Sequence, residues 1–100
     1  MPTFVLMTRH SADSLEDAES RREMGREWLN MVKKSCPEVK WLAHYAILGP
    51  YDFMDIYKAP DVSTAHKVSL ISRSAGALEA ESWQALEYPE FLKVLESLED

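Results

Sequence analysis

His44, Asp55 and Tyr57 are the residues of this sequence whose types and spacing could do chemistry. All three lie in HYAILGPYDFMDIY, residues 44–57, where two short apolar runs flank the turn Gly49-Pro50-Tyr51-Asp52. In a hairpin, residues opposite one another point to the same face of the sheet. With Pro50-Tyr51 as the loop, or Gly49 to Asp52, Leu48 lies opposite Phe53, Ala46 opposite Asp55 and His44 opposite Tyr57. Asp55 is then diagonal to His44. A carboxylate there can orient the imidazole while the phenol binds or donates a proton, an arrangement for acid–base chemistry near neutral pH. The plainer alternative is a histidine that fills an interface and bonds to its neighbours.

The other candidates carry less. Asp52 ends a tight turn, where an aspartate bonds backbone N–H groups; together with Tyr51 it is also placed to touch a ligand. Arg9 closes the first expected strand near Asp55 and Glu79, as an ion pair or an anion contact. His10, His44 and His66 fall in separate elements, and neither His-x-x-x-His nor Cys-x-x-Cys occurs, so no metal site is expected. Three isolated glycines exclude the usual nucleotide-binding loops. Haem ligation by His44 is compatible with a barrel cavity, but nothing in the sequence demands it, and the cofactor stays unknown. Cys36 is the single cysteine, so an internal disulfide is impossible, which fits a reducing cytoplasm.

Periodicity and capping place the elements that hold these residues. TFVLMTRH, residues 3–10, reads as a strand of β-branched and aromatic residues followed by a turn. A helix is expected over roughly 14–36, capped by Asp13 or Ser14 and closed by Pro37. Leu15, Ala18, Arg22, Gly25, Leu29, Val32 and Cys36 form one face, with Met24, Trp28 and Met31 as a neighbouring stripe. Strands follow at 40–48 and 53–58, and Asp61 or Ser63 caps a second helix that ends at Gly76. ALEAESWQAL, residues 77–86, is a fourth strand, and Pro89 starts a last helix with Phe91, Leu95 and Leu98 on one face. The order is β-α-β-β-α-β with a helical tail, an α+β ferredoxin-like sandwich in a single domain.

The pairing predicts two unlike faces. Trp41, Ala43, Tyr45, Ile47, Met54 and Ile56 form the helix-covered core, joined by Phe4, Leu6, Leu78 and Ala80. The helix-free face then holds Val5, Met7, Leu42, Leu48, Phe53 and Trp83, with Arg9, His44, Asp55, Tyr57, Glu79 and Glu81 among them. So much apolar surface needs a cover, and a second subunit is the expected one. A half-apolar floor with converging polar groups is also the make-up of a small-molecule pocket. Arg9, Met7, Tyr51, Asp52, Phe53, Glu81 and Trp83 are its candidate lining.

The net charge of −6 argues against direct nucleic-acid binding, because the arginines of residues 21–26 are interleaved with Glu19, Glu23 and Glu27 and read as a solvated face. No apolar run is long enough to span a membrane, and MPTFVLMTRH has no secretory signal pattern. LGPYDFMDIYKAPD followed by STAHKVSLISRSAG resembles the GYD-domain family in the order of turn, strand, Ala-Pro-Asp exit and glycine-ended helix. Pro50 departs from that pattern by separating Gly49 from Tyr51-Asp52. The resemblance implies a small ferredoxin-like domain related to the dimeric α+β barrels, in which two sheets face a central cavity; it implies no particular reaction. The expectation is therefore a cytoplasmic homodimer that binds a small molecule between its sheets, as sensor, carrier or accessory subunit. The alternative is a cofactor-independent enzyme, isomerase- or monooxygenase-like, using His44, Asp55 and Tyr57.

Overall fold

A computed structural model describes residues 1–99, with the side chain of Ser14 excepted. The elements are β1 (Thr3–Arg9), α1 (Ala18–Ser35), β2 (Lys40–Ala46), β3 (Phe53–Lys58), α2 (Val62–Ser74), β4 (Glu79–Ala85) and α3 (Tyr88–Ser97), with a 3₁₀ turn at Asp13–Leu15. All strand pairs are antiparallel, in the order β2-β3-β1-β4. This is the expected α+β ferredoxin-like arrangement with a helical tail.

Caps set the helix starts. The Asp17 side chain accepts the Ser20 N–H at 2.9 Å, so α1 begins later than Asp13 would have allowed. The side chain of Ser14, the other expected cap, lies outside the described part of the structure. Asp61 does the same work for α2, accepting the Thr64 N–H at 2.8 Å. After α2 the chain reverses through Gly76 at φ +115°, where a Cβ would meet Met24 Cε at 3.0 Å. Gly25 sits inside α1 with its would-be Cβ no nearer than 3.8 Å to any neighbour, so it meets no steric demand. Gly25→Ala should therefore raise stability by about 0.5–1 kcal/mol. A urea titration reads this as a higher midpoint; a lower one would mean that the added methyl is not accommodated.

The core lies between the sheet and the first two helices. Phe4, Leu6, Val32, Tyr57 and Val68 are sealed there, with small residues Ala59, Ala65 and Ala80 allowing close approach. Trp28 packs on Trp41 (centroids 4.9 Å), Trp41 on Tyr57 (5.2 Å), and Tyr57 on Phe4 (5.6 Å). The Trp28 indole N–H donates to Ser72 Oγ at 2.9 Å and ties α1 to α2.

One expectation is overturned. β1 pairs with β3 so that Phe4 lies opposite Tyr57 and Leu6 opposite Asp55. The covered face of the hairpin therefore holds Phe53, Asp55 and Tyr57, and the open face holds Met54 and Ile56. Ile47 N–H donates to Asp52 O at 2.9 Å, leaving residues 48–51 as the loop and placing His44 opposite Asp55 rather than Tyr57. A bulge between Trp41 and Ala43 then brings Trp41 onto the covered face as well. Phe4, Leu6 and Ala80 keep their expected places in the core, and Arg9, Glu79, Glu81 and Trp83 lie on the open face; Leu78, expected in the core, precedes β4 and is 55% exposed.

Candidate functional site

The inverted hairpin divides the candidate residues between the two sides of the sheet. His44, Phe53, Asp55 and Tyr57 lie under the helices; Met7, Arg9, Glu81 and Trp83 lie on the open face, with Tyr51 reaching them from the hairpin loop.

Under the helices, Phe53 is the floor. The His44 imidazole stacks on its ring (5.8 Å, 12° between planes), the His10 ring meets it edge-on (5.4 Å), and the Arg21 guanidinium lies over it at 4.4 Å. His44 Nδ1 is hydrogen-bonded to Asp55 Oδ1, which fixes the ring and leaves Nε2 for another partner. Asp55 is only 3 % exposed. Burial pushes its carboxyl above the usual range, and the charges of His44 and Arg21 pull it partly back. Burial also lowers the Arg21 guanidinium, against the nearby Asp55 charge. A cavity of about 20 Å³, room for about one water, lies among Thr8, His10, Arg21, His44, Phe53 and Asp55. It adjoins His10 Nδ1, a buried nitrogen with no protein partner.

Tyr57 does not join this group. Its hydroxyl is 2.7 Å from Ser82 Oγ and 3.5 Å from Ala65 O. Burial pushes its pKa up to about 12, so the phenol stays protonated throughout the physiological range.

The open-face group is a chain of polar contacts. Tyr51 donates its hydroxyl to Glu81, Trp83 donates its indole N–H to the same carboxylate at 3.1 Å, and the two rings meet edge to face at 5.9 Å. Those hydrogen bonds hold the Glu81 carboxyl below its usual range. Arg9 pairs with Glu79 at 2.9 Å. Asp52 stands apart from both groups: its Oδ2 accepts the His10 N–H at 2.8 Å, and its own N–H donates to Thr8 O, so it fastens the hairpin to β1. Among the described residues no three His, Cys, Asp or Glu side chains come together in a way that could hold a metal ion. No described helix is long and apolar enough to cross a membrane.

Sequence reasoning missed His10 and Arg21. The charges beside Arg21 in sequence read as a solvated face, yet it continues the inward stripe Met24, Trp28 and Val32 by helical spacing. Trp41 lies in the helix-covered core as the sequence predicts, and the bulge is what sets it on the same side as His44.

His10 also gives a pH dependence. Burial, followed by the charge of Arg21, lowers its pKa from the ordinary 6.5. The unfolded chain therefore binds a proton that the folded one resists, and stability falls as pH drops from about 6.5 toward the folded value. His10→Gln should flatten that part of the stability–pH curve. Parallel urea titrations of wild type and variant between pH 7.5 and 5 would show it, and an identical slope in both would place the effect elsewhere.

A family model described as "GYD domain" matches residues 4–95. A curated protein of Thermus thermophilus, named "Glutamine synthetase and cystathionine beta-lyase binding protein", is 30% identical over 86 residues, covering 86% of this chain and 90% of its own length. Two solved structures share the fold at 19% identity: FFRP-DM1 (TM-score 0.57, covering 86% of this chain and 100% of its own) and a hypothetical protein, PHS023, from Pyrococcus horikoshii (TM-score 0.55, covering 87% and 92%).

Proposed function

The chain belongs to the GYD domain family, and from that premise we propose that it is a small binding or accessory protein that pairs with a second copy through the open face of its sheet. The observation that carries this reading is the composition of that face. Val5, Tyr45, Met54, Ile56 and Trp83 lie on one side of the strands with no helix over them, and Tyr45 and Trp83 are 54% and 46% exposed. A continuous apolar face of this kind marks an interaction surface, and a two-fold axis lets one face cover the other. The facing sheets would enclose Met7, Arg9, Tyr51, Glu81 and Trp83 of each copy, a half-apolar space with fixed polar groups that suits a small molecule. The Thermus thermophilus relative is named for binding two enzymes, which supports an accessory role exercised through contact with other proteins. Cys36 is buried and unpaired, as suits the reducing cytoplasm.

Light scattering on a sizing column tests the pairing. The wild type should run as a dimer at about 10 μM, and Trp83→Glu as a folded monomer, because it sets two unpaired carboxylates against each other in an apolar contact. A wild-type monomer at that concentration overturns the reading.

The His44–Asp55 pair favours a second reading, proton transfer by an imidazole whose orientation a buried carboxylate fixes. Tyr57 has no part in it. If His44→Ala abolishes turnover of a substrate while binding and fold persist, this reading displaces the first.

A further inference from the structure

We propose that the groove between α1 and the edge strand β2 is a binding site for a small organic carboxylate with a planar, apolar body. The groove lies on the helix-covered side, away from the proposed dimer face, so neither reading depends on the other. Its volume is about 530 Å³, and Arg21, Arg22, Arg26, Trp28, Trp41 and His44 are among its walls. That size is within the roughly 300–1,000 Å³ of small-molecule pockets.

Charge names the ligand's head. The chain as a whole carries −6, yet three arginines line this groove and its one carboxylate, Asp55, is buried and bound to His44. Glu19, Glu23 and Glu27, which alternate with the arginines in sequence, are absent from the lining and exposed. The helix thus sorts its charges, turning cations to the groove and anions to solvent. Arg22 and Arg26 make no ion pair among the described residues. Their guanidinium forks match a carboxylate in geometry as well as charge, and His44 Nε2 is free to add a hydrogen bond.

The walls name the ligand's body. Trp28 and Trp41, in contact at 4.9 Å, offer aromatic faces, and Leu29 extends the apolar side. Gly25 lies between Arg22 and Arg26 on the same wall, and nothing approaches its Cβ position within 3.8 Å. A glycine weakens a helix interior. Here it leaves open the space that a side chain would fill. A bare phosphate would leave the tryptophan faces unused, so an acid with an aromatic or flat apolar body is the better fit.

Calorimetry on the intact protein, with indole-3-acetate and its neutral amide indole-3-acetamide as probes, tests the site. The acid should bind, and the amide should bind at least about tenfold more weakly. Arg22→Gln with Arg26→Gln should weaken the acid by about tenfold or more without changing the circular dichroism. Gly25→Leu should abolish binding while the helix is retained, since leucine is the better helix former. No heat from indole-3-acetate up to about 1 mM, equal binding of acid and amide, or undiminished binding by Gly25→Leu would each overturn the proposal.

Discussion

Tyr57→Ala should cost the domain about 3–5 kcal/mol, a large share of the roughly 5–15 kcal/mol that holds a domain of this size together. Tyr57 has no exposed surface, and its ring joins Phe4 on β1 to Trp41 on β2. Truncation leaves a cavity at the centre of the three-strand contact, and the surrounding side chains hang from rigid strands that cannot close it. Tyr57→Phe separates the ring from the hydroxyl. It removes the bond to Ser82, whose Oγ still has Ser69 Oγ at 2.8 Å, and the long 3.5 Å contact to Ala65 O, so the cost should be about 1 kcal/mol. Urea unfolding of the two variants checks this. Near-equal losses would mean that the polar contact, not the packing, is what Tyr57 supplies.

His44→Ala should destabilise the protein by about 1–3 kcal/mol near neutral pH, because it leaves the buried Asp55 carboxylate without its partner. The full penalty for breaking a buried pair is not expected, since the His44 side chain is 59% exposed and water can enter where it stood. The sign with pH follows from linkage. Burial already places the Asp55 carboxyl above its ordinary 3.8 in the folded state, and His44 opposes that rise. Without the imidazole the folded value climbs further. A carboxyl raised on folding favours the folded state below its unfolded value, and that contribution is lost as pH rises through the folded one. The variant's deficit should accordingly be small near pH 4 and grow toward pH 7. Adding Asp55→Asn should remove the pH dependence. A deficit that is constant across this range would assign the loss to the missing stack on Phe53 instead.

The last helix illustrates what local signals can and cannot say. Pro89 and the spacing of Phe91, Leu95 and Leu98 predict it, and it forms at Tyr88–Ser97. Those residues nonetheless stay exposed, because among the described residues no other element packs against them. Amphipathic spacing calls for a partner surface without naming one.

The candidate site was legible in residue type and only partly in place. Asp55 and His44 do meet, because residues 44, 53, 55 and 57 share a face under either hairpin register. Tyr57 parts from them because a two-residue shift in pairing moves every partner while preserving sides. Arg21 went unseen because its neighbours in sequence are charged, and only the lie of α1 over the sheet turned it inward.

Element order, the cap at Asp61 and the reversal at Gly76 were determined by the sequence itself. Each depends on interactions spanning a few residues, which the local residue types settle. The covered side of the hairpin was decided only in the tertiary structure. Phe53 and Tyr57 are apolar enough for a core, and so are Met54 and Ile56, so hydrophobicity cannot choose between them. The pairing of Tyr57 with Phe4, some fifty residues away in sequence, chose. Burying Asp55 was tolerable because the register of β2 on β3 gave it His44 as a hydrogen-bonding partner, and a buried charge is stable only where such partners are fixed.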